Sequence, residues 1–397
     1  MTQKTKTFGF LGSVALFFIS LVLRPPVASV GPLLHEIITD LGLSAAETSL
    51  IASAPVFCFG LGAFASPTLV RKFGVNRSML LVLGALLLSV SLRLFFGYPG
   101  LLVGTLAAGL SIAVANVLLP TIVRVEFPNR VPLVTGFYTT LLAFSASFAA
   151  WVAVPSSALV GGWRPALALW VLPALLAVLF WVPKALGGQG DVAQAASAVS
   201  EERSAVLRSP ISWAIVGFFG LQSLGFYSVL GWLPTLLIAR GETPESAGSY
   251  LGLATAIGIP AGLILSTVIS RFKSLAWWVA GASALTLTGF ILLLAAFETP
   301  WLTTVACVVM GVGQAATFLM SLSIISTRAS TKAQTTQLSS MAQGWGYLLA
   351  ATGTFVVGLL AETSGSWALS VGLLAALTLV QVGIGFYSGR PGVIPAK

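Results

Sequence analysis

The chain is poor in charge. Only 8% of its 397 residues are Asp, Glu, Lys or Arg, whereas an ordinary globular domain carries about 25%. So few charges cannot coat a water-facing surface, which argues against a soluble enzyme, a nucleic-acid binder and a disordered chain. There is one histidine, His35, and there are 11 acids, which leaves almost nothing for acid–base or metal chemistry. No phosphate-cradling loop, metal-ligand spacing or Ser-His-Asp set is present, so neither an enzyme nor a bound cofactor is expected. The two cysteines, Cys58 and Cys307, lie in separate apolar runs. They suggest no disulfide framework and read as small apolar core residues.

What the chain does have is apolar length. Hydrophobic residues make up 57% of it, and the mean hydropathy is +0.98. A spanning helix needs about 20 mostly apolar residues. Twelve such runs can be traced: 8–34, 47–70, 78–98, 101–123, 133–157, 166–183, 212–238, 248–270, 275–297, 301–325, 338–361 and 367–388. Lys4 and Lys6 before the first run imitate a signal peptide, but that run is too long for one and eleven more follow, so it reads as helix 1. The short alternating segments of a β-barrel are absent. Small-residue spacings such as Gly258-Ile-Pro-Ala-Gly262 suit close helix contacts.

Orientation follows from the cations. With the N-terminus in the cytoplasm, the inside segments hold 16 Lys and Arg residues and the outside holds only Arg164 and Arg240. Arg24 and Arg93 fall within spans. The bias predicts both termini inside, in the inner membrane of a bacterial cell. Between runs six and seven, Lys184–Ile211 is small, polar and partly charged, the composition of a linker with room for one short surface helix. It divides the chain into a six-helix bundle over 1–183, a cytoplasmic linker over 184–211 and a second six-helix bundle over 212–397.

The two halves repeat in parallel. Gly109, Arg124 and Trp163 match Gly313, Arg328 and Trp367 at one offset of 204, and Pro32 matches Pro234 at 202. Two parallel six-helix repeats joined by a cytoplasmic linker describe the major facilitator architecture, an all-α membrane fold with its substrate site between the halves. Several stretches carry a narrower resemblance: Arg24-Pro-Pro-Val-Ala-Ser-Val-Gly-Pro-Leu-Leu34, Asn116-Val-Leu-Leu-Pro120 with Glu126-Phe-Pro128, Thr135-Gly-Phe-Tyr138, Leu207-Arg-Ser-Pro210, Gly231-Trp-Leu-Pro234, and Met341-Ala-Gln343 with Gly346-Tyr-Leu-Leu349. Over about residues 10–385 the chain resembles the cyanate permease/2-nitroimidazole transporter family. The general superfamily signature between helices 2 and 3 is degenerate. Pro67 stands in place of its first Gly and Arg71 in place of its acid, while Lys72, Gly74 and Arg77 remain.

The resemblance implies that helices 1, 4, 7 and 10 line a central cavity. Arg24 sits about three residues past the centre of helix 1, roughly 5 Å at helical rise, where it costs on the order of 3 kcal/mol by insertion scales. Two readings stand: a guanidinium aimed at an anionic or strongly dipolar substrate, or one that snorkels outward or ties a carbonyl at the Pro25-Pro26 break. Arg93, nearer an outer helix end, is expected to snorkel. No Asp or Glu falls deep within a span, which argues against a simple buried-acid proton relay and leaves Arg24 without a counter-charge. His35, at the outer mouth, is expected to be a solvated loop residue.

Asn116, Gln222, Tyr227 and Gln314 form a second tier, each as apt to bond a neighbouring helix as a substrate. Tyr138 and Gln343 occupy near-equivalent places on helices 5 and 11, as cavity floor or inner gate or as packing. Trp232 and Trp345 read as packing or interface anchors. Gly311-Val-Gly-Gln-Ala-Ala316 fits a dinucleotide pattern, but in mid-membrane it reads as helix packing. The expectation is a secondary active or facilitative transporter working by alternating access, functional as a monomer because each half has its own helices, with a small-molecule substrate, a lipid bilayer around it and no nucleic-acid partner. Its cargo is a small organic or inorganic anion, cyanate-like or a small carboxylate or oxyanion, paired with Arg24. The alternative is a carrier or exporter of neutral nitroheterocycles; a non-transporting receptor or a channel is the rival from another class.

Overall fold

The computed structural model describes residues 14–187, 206–269, 271–272, 274–296 and 300–394. Within them every regular element is a helix, as expected where backbone groups have no water to bond. The elements are α1 (14–22), α2 (Pro25–Ala28), α3 (Val30–Leu41), α4 (Ala45–Ala63), α5 (Ser66–Leu92), α6 (Gly97–Glu126), α7 (Val131–Val160), α8 (Trp163–Ala168) and α9 (Val171–Gly187), then α10 (Pro210–Ile238), α11 (Pro244–Ala256), α12 (Gly258–Ile269), α13 (Ala276–Ala295), α14 (Pro300–Arg328), α15 (Lys332–Ser364) and α16 (Trp367–Ser388). Lys4, Lys6, the start of the first run and residues 188–205 of the linker lie outside the described residues; residues 206–208, near the linker's end, are helical.

Each apolar run is met by a helix or a helix broken at a recognisable residue. The first is α1 to α3, interrupted at Leu23 and Arg24 because Pro25 and Pro26 carry no N–H to continue the ladder. The second is α4, which bends at Phe64 and Ala65 and continues into the first turns of α5. Those turns end at Gly74, whose φ of 74° and ψ of 168° reverse the chain, so the rest of α5 is the third span. Only glycine adopts that backbone without strain. The turn therefore survives where the signature around it has degenerated. At the other end of α4, Ser44 and Glu47 form a reciprocal cap: the Ser44 hydroxyl accepts from Glu47 N at 3.3 Å, and the Glu47 carboxylate accepts from Ser44 N at 2.9 Å.

The described residues form two compact units, 14–128 with 141–187 and 129–140 with 206–394. In the first, α6 packs against both α4 and α5. Large apolar side chains such as Leu88 and Leu159 stand out from this unit, as a lipid-facing surface requires. Some intramembrane hydroxyls bond their own helices: Ser20 Oγ donates to Leu16 O at 2.7 Å and Ser111 Oγ to Ala107 O at 2.8 Å. Two acids tie the end of α3 to α7 and α8. Glu36 accepts from Ser157 Oγ at 2.6 Å and from Trp163 N at 2.9 Å. Asp40 accepts from Trp163 Nε1 at 3.0 Å and Arg164 Nη1 at 2.7 Å. At the opposite end, Lys184 pairs with Glu126 at 2.6 Å, the lysine side chain only 4% exposed.

In the second unit, α10 packs on α15, and α13 on α14 and α16. The α10–α15 approach is made by glycines: a Cβ on Gly346 would lie 2.5 Å from Phe219 Cδ1, and one on Gly220 would lie 3.2 Å from Gly346 Cα. Trp232 is a packing residue, its ring 5.7 Å from Trp367 and its Nε1 donating to Thr354 O at 2.9 Å. Trp345 is exposed. Arg328 holds the chain beyond α16, donating to Gly389 O at 2.9 Å and Gly392 O at 3.1 Å.

The repeat is visible in position but not in every contact. Arg124 and Arg328 both lie in the last turn of their helices. Gly109 lets α4 approach, with a Cβ there 2.8 Å from Cys58 Cβ, whereas Gly313 lets α13 approach, with a Cβ 2.5 Å from Thr286 N. The contact that answers Gly109 is made by Gly311, two residues earlier, against Ala254 O on α11. A shift of two residues turns a helix by about 200°, so the matched glycines face different neighbours.

Candidate functional site

In the first unit the candidate site is built on the broken first span. Its two prolines remove two donors, and the chain closes the gap with Val27 N and Ala28 N both donating to Arg24 O, at 3.1 and 3.0 Å. Ser29 donates from both its N and its Oγ to Pro25 O, at 3.0 and 2.7 Å. Arg24 therefore stands at the discontinuity, half-buried, held by a backbone whose shape is set by Pro25 and Pro26. Asn116 lies in α6 within a continuously buried stretch from Ser111 to Val123 and is itself 6% exposed.

Arg93 departs from the expectation that it snorkels. It is 2% exposed, and its Nη1 donates to the carbonyl of Pro26. The reason is local. Gly104 on α6 leaves the space the side chain crosses, since a Cβ there would lie 2.7 Å from Arg93 Cγ. The helix break supplies a carbonyl for it to bond. This residue was undervalued because its position near a helix end suggested water, and neither the gap at Gly104 nor the carbonyl at Pro26 is visible from a hydropathy trace.

The second unit holds the remaining predicted residues, and they divide by partner. Gln222 Nε2 donates to Ser223 Oγ at 2.6 Å, and Gln343 Nε2 to Ser339 Oγ at 2.8 Å, so both amides bond within their own helix. Gln314, 7% exposed on α14, has no partner for Nε2 among the described residues, and Tyr138, 1% exposed, has none for its hydroxyl. A buried polar atom left unbonded costs about 1–3 kcal/mol, so these two offer hydrogen bonds that the fold itself does not use. Tyr227 meets Tyr347 with centroids 6.0 Å apart, and Tyr347 meets Phe219 edge-on at 5.2 Å. Tyr347 and Phe219 were not anticipated. The signal for Tyr347 was its place one helical turn after Gln343, on the same face. The His35 side chain lies outside the described residues. Among those described, no three His, Cys, Asp or Glu side chains converge as metal ligands.

The chain belongs to the Major Facilitator Superfamily, whose family model matches residues 10–354. It is 30% identical over 378 residues to the 2-nitroimidazole transporter of Escherichia coli (strain K12), covering 94% of each chain. It is 27% identical over 360 residues to the cyanate transport protein of the same strain, covering 89% of this chain and 91% of that protein. Among solved structures, the superfamily's proton:xylose symporter bound to 6-bromo-6-deoxy-D-glucose superposes with a TM-score of 0.76 at 14% identity, over 95% of both chains. The protein is a multi-pass membrane transporter and not an enzyme, and its substrate is a small molecule.

Proposed function

We propose that this transporter is a secondary active or facilitative carrier of a small anion, cyanate-like or a small carboxylate or oxyanion, with Arg24 as its charge partner. The observation that carries the reading is Arg24 itself, a guanidinium half-buried at the proline break of an apolar span. Such a charge is costly in a membrane, and an arriving anion offsets that cost. Binding then permits two six-helix halves, joined by the cytoplasmic linker 184–211, to rock and expose the site alternately. Both termini lie in the cytoplasm of a bacterial inner-membrane protein that works as a monomer. The cyanate transport protein among its relatives supports this cargo class.

A second reading has its own observation. The Tyr227, Tyr347 and Phe219 rings form an aromatic group beside Gln343 on α15, suited to a planar neutral heterocycle, and the 2-nitroimidazole transporter is the relative that carries it. Counterflow in proteoliposomes decides between them. Saturable exchange of radiolabelled cyanate or acetate, lost in Arg24→Ala, establishes the anion carrier. Exchange of 2-nitroimidazole alone, unchanged in Arg24→Ala, replaces it with the second reading, and unsaturated conductance replaces both with a channel.

A further inference from the structure

We infer that Arg93 is a second anion-recognition group, and that its free edge selects a planar, two-oxygen anion, a carboxylate or nitrite, over a linear one such as cyanate. The inference rests on the anion-carrier reading and narrows its substrate class. Its basis is the way the guanidinium is used. Nη1 is anchored on the Pro26 carbonyl. Nε and Nη2 are buried and have no partner among the described residues, and no carboxylate there pairs with the group. Arginine does not shed its proton at accessible pH, so this is a desolvated cation bonded to one neutral acceptor.

The geometry of the guanidinium sets the ligand. Nε–H and the Nη2–H beside it are parallel and lie on one edge of the plane, spaced as the two oxygens of a carboxylate are. A bent O–X–O anion engages both donors at once. A linear anion presents one end and satisfies one of them. The anchor fixes which edge is used, because Nη1, on the other side of the group, is already committed. The anchoring carbonyl belongs to the break that carries Arg24, two residues before Pro26 in sequence. Two cations at one break concentrate positive potential and favour an anion over a neutral isostere. The depth of Arg93 depends on Gly104, where any larger residue would meet both Arg93 Cγ and Ser89 O at 2.7 Å.

The test is isothermal titration and thermal shift on the purified full chain in nanodiscs, with acetate, benzoate and nitrite as bent anions, cyanate and thiocyanate as linear ones, and 2-nitroimidazole as a neutral planar probe. Wild type is expected to bind the bent anions at least about tenfold more tightly, the equivalent of one charge-assisted hydrogen bond. Arg93→Lys keeps the charge and a donor for Pro26 O but loses the fork, and is expected to bring the two sets within about twofold while leaving the linear anions little changed. Arg24→Lys is expected to weaken both sets and keep their ratio. Retention of the bent-anion preference in Arg93→Lys overturns the inference and leaves the anion-carrier reading standing. If that variant fails to fold, the wild-type ratio decides alone, and equal affinity for bent and linear anions overturns it. A response confined to 2-nitroimidazole and abolished by Arg93→Lys overturns the anionic assignment, and no anion binding by wild type overturns this inference and the carrier reading together.

Discussion

The two units carry different chemistry on repeated elements. In the first, the broken span is cationic: Arg24 stands at the break made by two prolines, and Arg93 bonds the carbonyl of the second. In the second, the counterpart region is uncharged, with α10, α14 and α15 supplying Gln222, Gln314, Gln343 and an edge-to-face aromatic group. Their ends differ in the same way. Glu126 and Lys184 close the first unit with an ion pair, while Arg328 closes the second on backbone carbonyls. Duplication therefore preserved helix positions and left side chains free to diverge.

That division is best broken at Arg24. Arg24→Ala is expected to weaken anion binding by about a hundredfold, the scale of a lost bidentate charge-assisted contact, and to leave a neutral aromatic ligand within about twofold. Titration calorimetry with acetate and 2-nitroimidazole measures both, and equal losses would dissolve the distinction between the units. Glu126→Gln is the next largest. It strands the buried Lys184 ammonium, so a loss of about 2 kcal/mol in stability is expected, read as a lower melting temperature in detergent. Arg328 of the second unit bonds neutral carbonyls, so Arg328→Lys is expected to change the melting temperature less.

Tyr347→Ala sharpens the comparison from the other side. It removes the ring that touches both Phe219 and Tyr227 and is expected to weaken a nitroheterocycle by about tenfold, within the range of aromatic contacts, with acetate affinity unchanged. The smallest effect is at a helix end of the first unit. Ser44→Ala removes the hydroxyl of the reciprocal cap on α4 and is expected to cost about 1 kcal/mol without altering the affinity of any ligand, a control that separates stability from recognition.

Much of the fold was legible because a bilayer imposes a simple rule. Backbone groups must bond within the segment, so apolar length alone marks the helices, and Pro25, Pro26 and Gly74 announce where they break or turn. Site residues were legible as chemistry but not as arrangement. Gln222 looked equivalent to Gln314, yet a serine on its own helix bonds the Gln222 amide while Gln314 Nε2 has no partner among the described residues. The offset of 204 aligned Gly109 with Gly313, although the two face different helices.

Composition and periodicity by themselves determined that this is an all-helical membrane chain with a polar break in its first span, because transfer from water to lipid is decided residue by residue. Tertiary structure decided that Arg93 turns inward. A long side chain near a helix end reaches either water or a neighbour, and the choice depends on a gap at Gly104 and a carbonyl at Pro26, 67 residues away. Contacts at that separation exist only once the helices have packed.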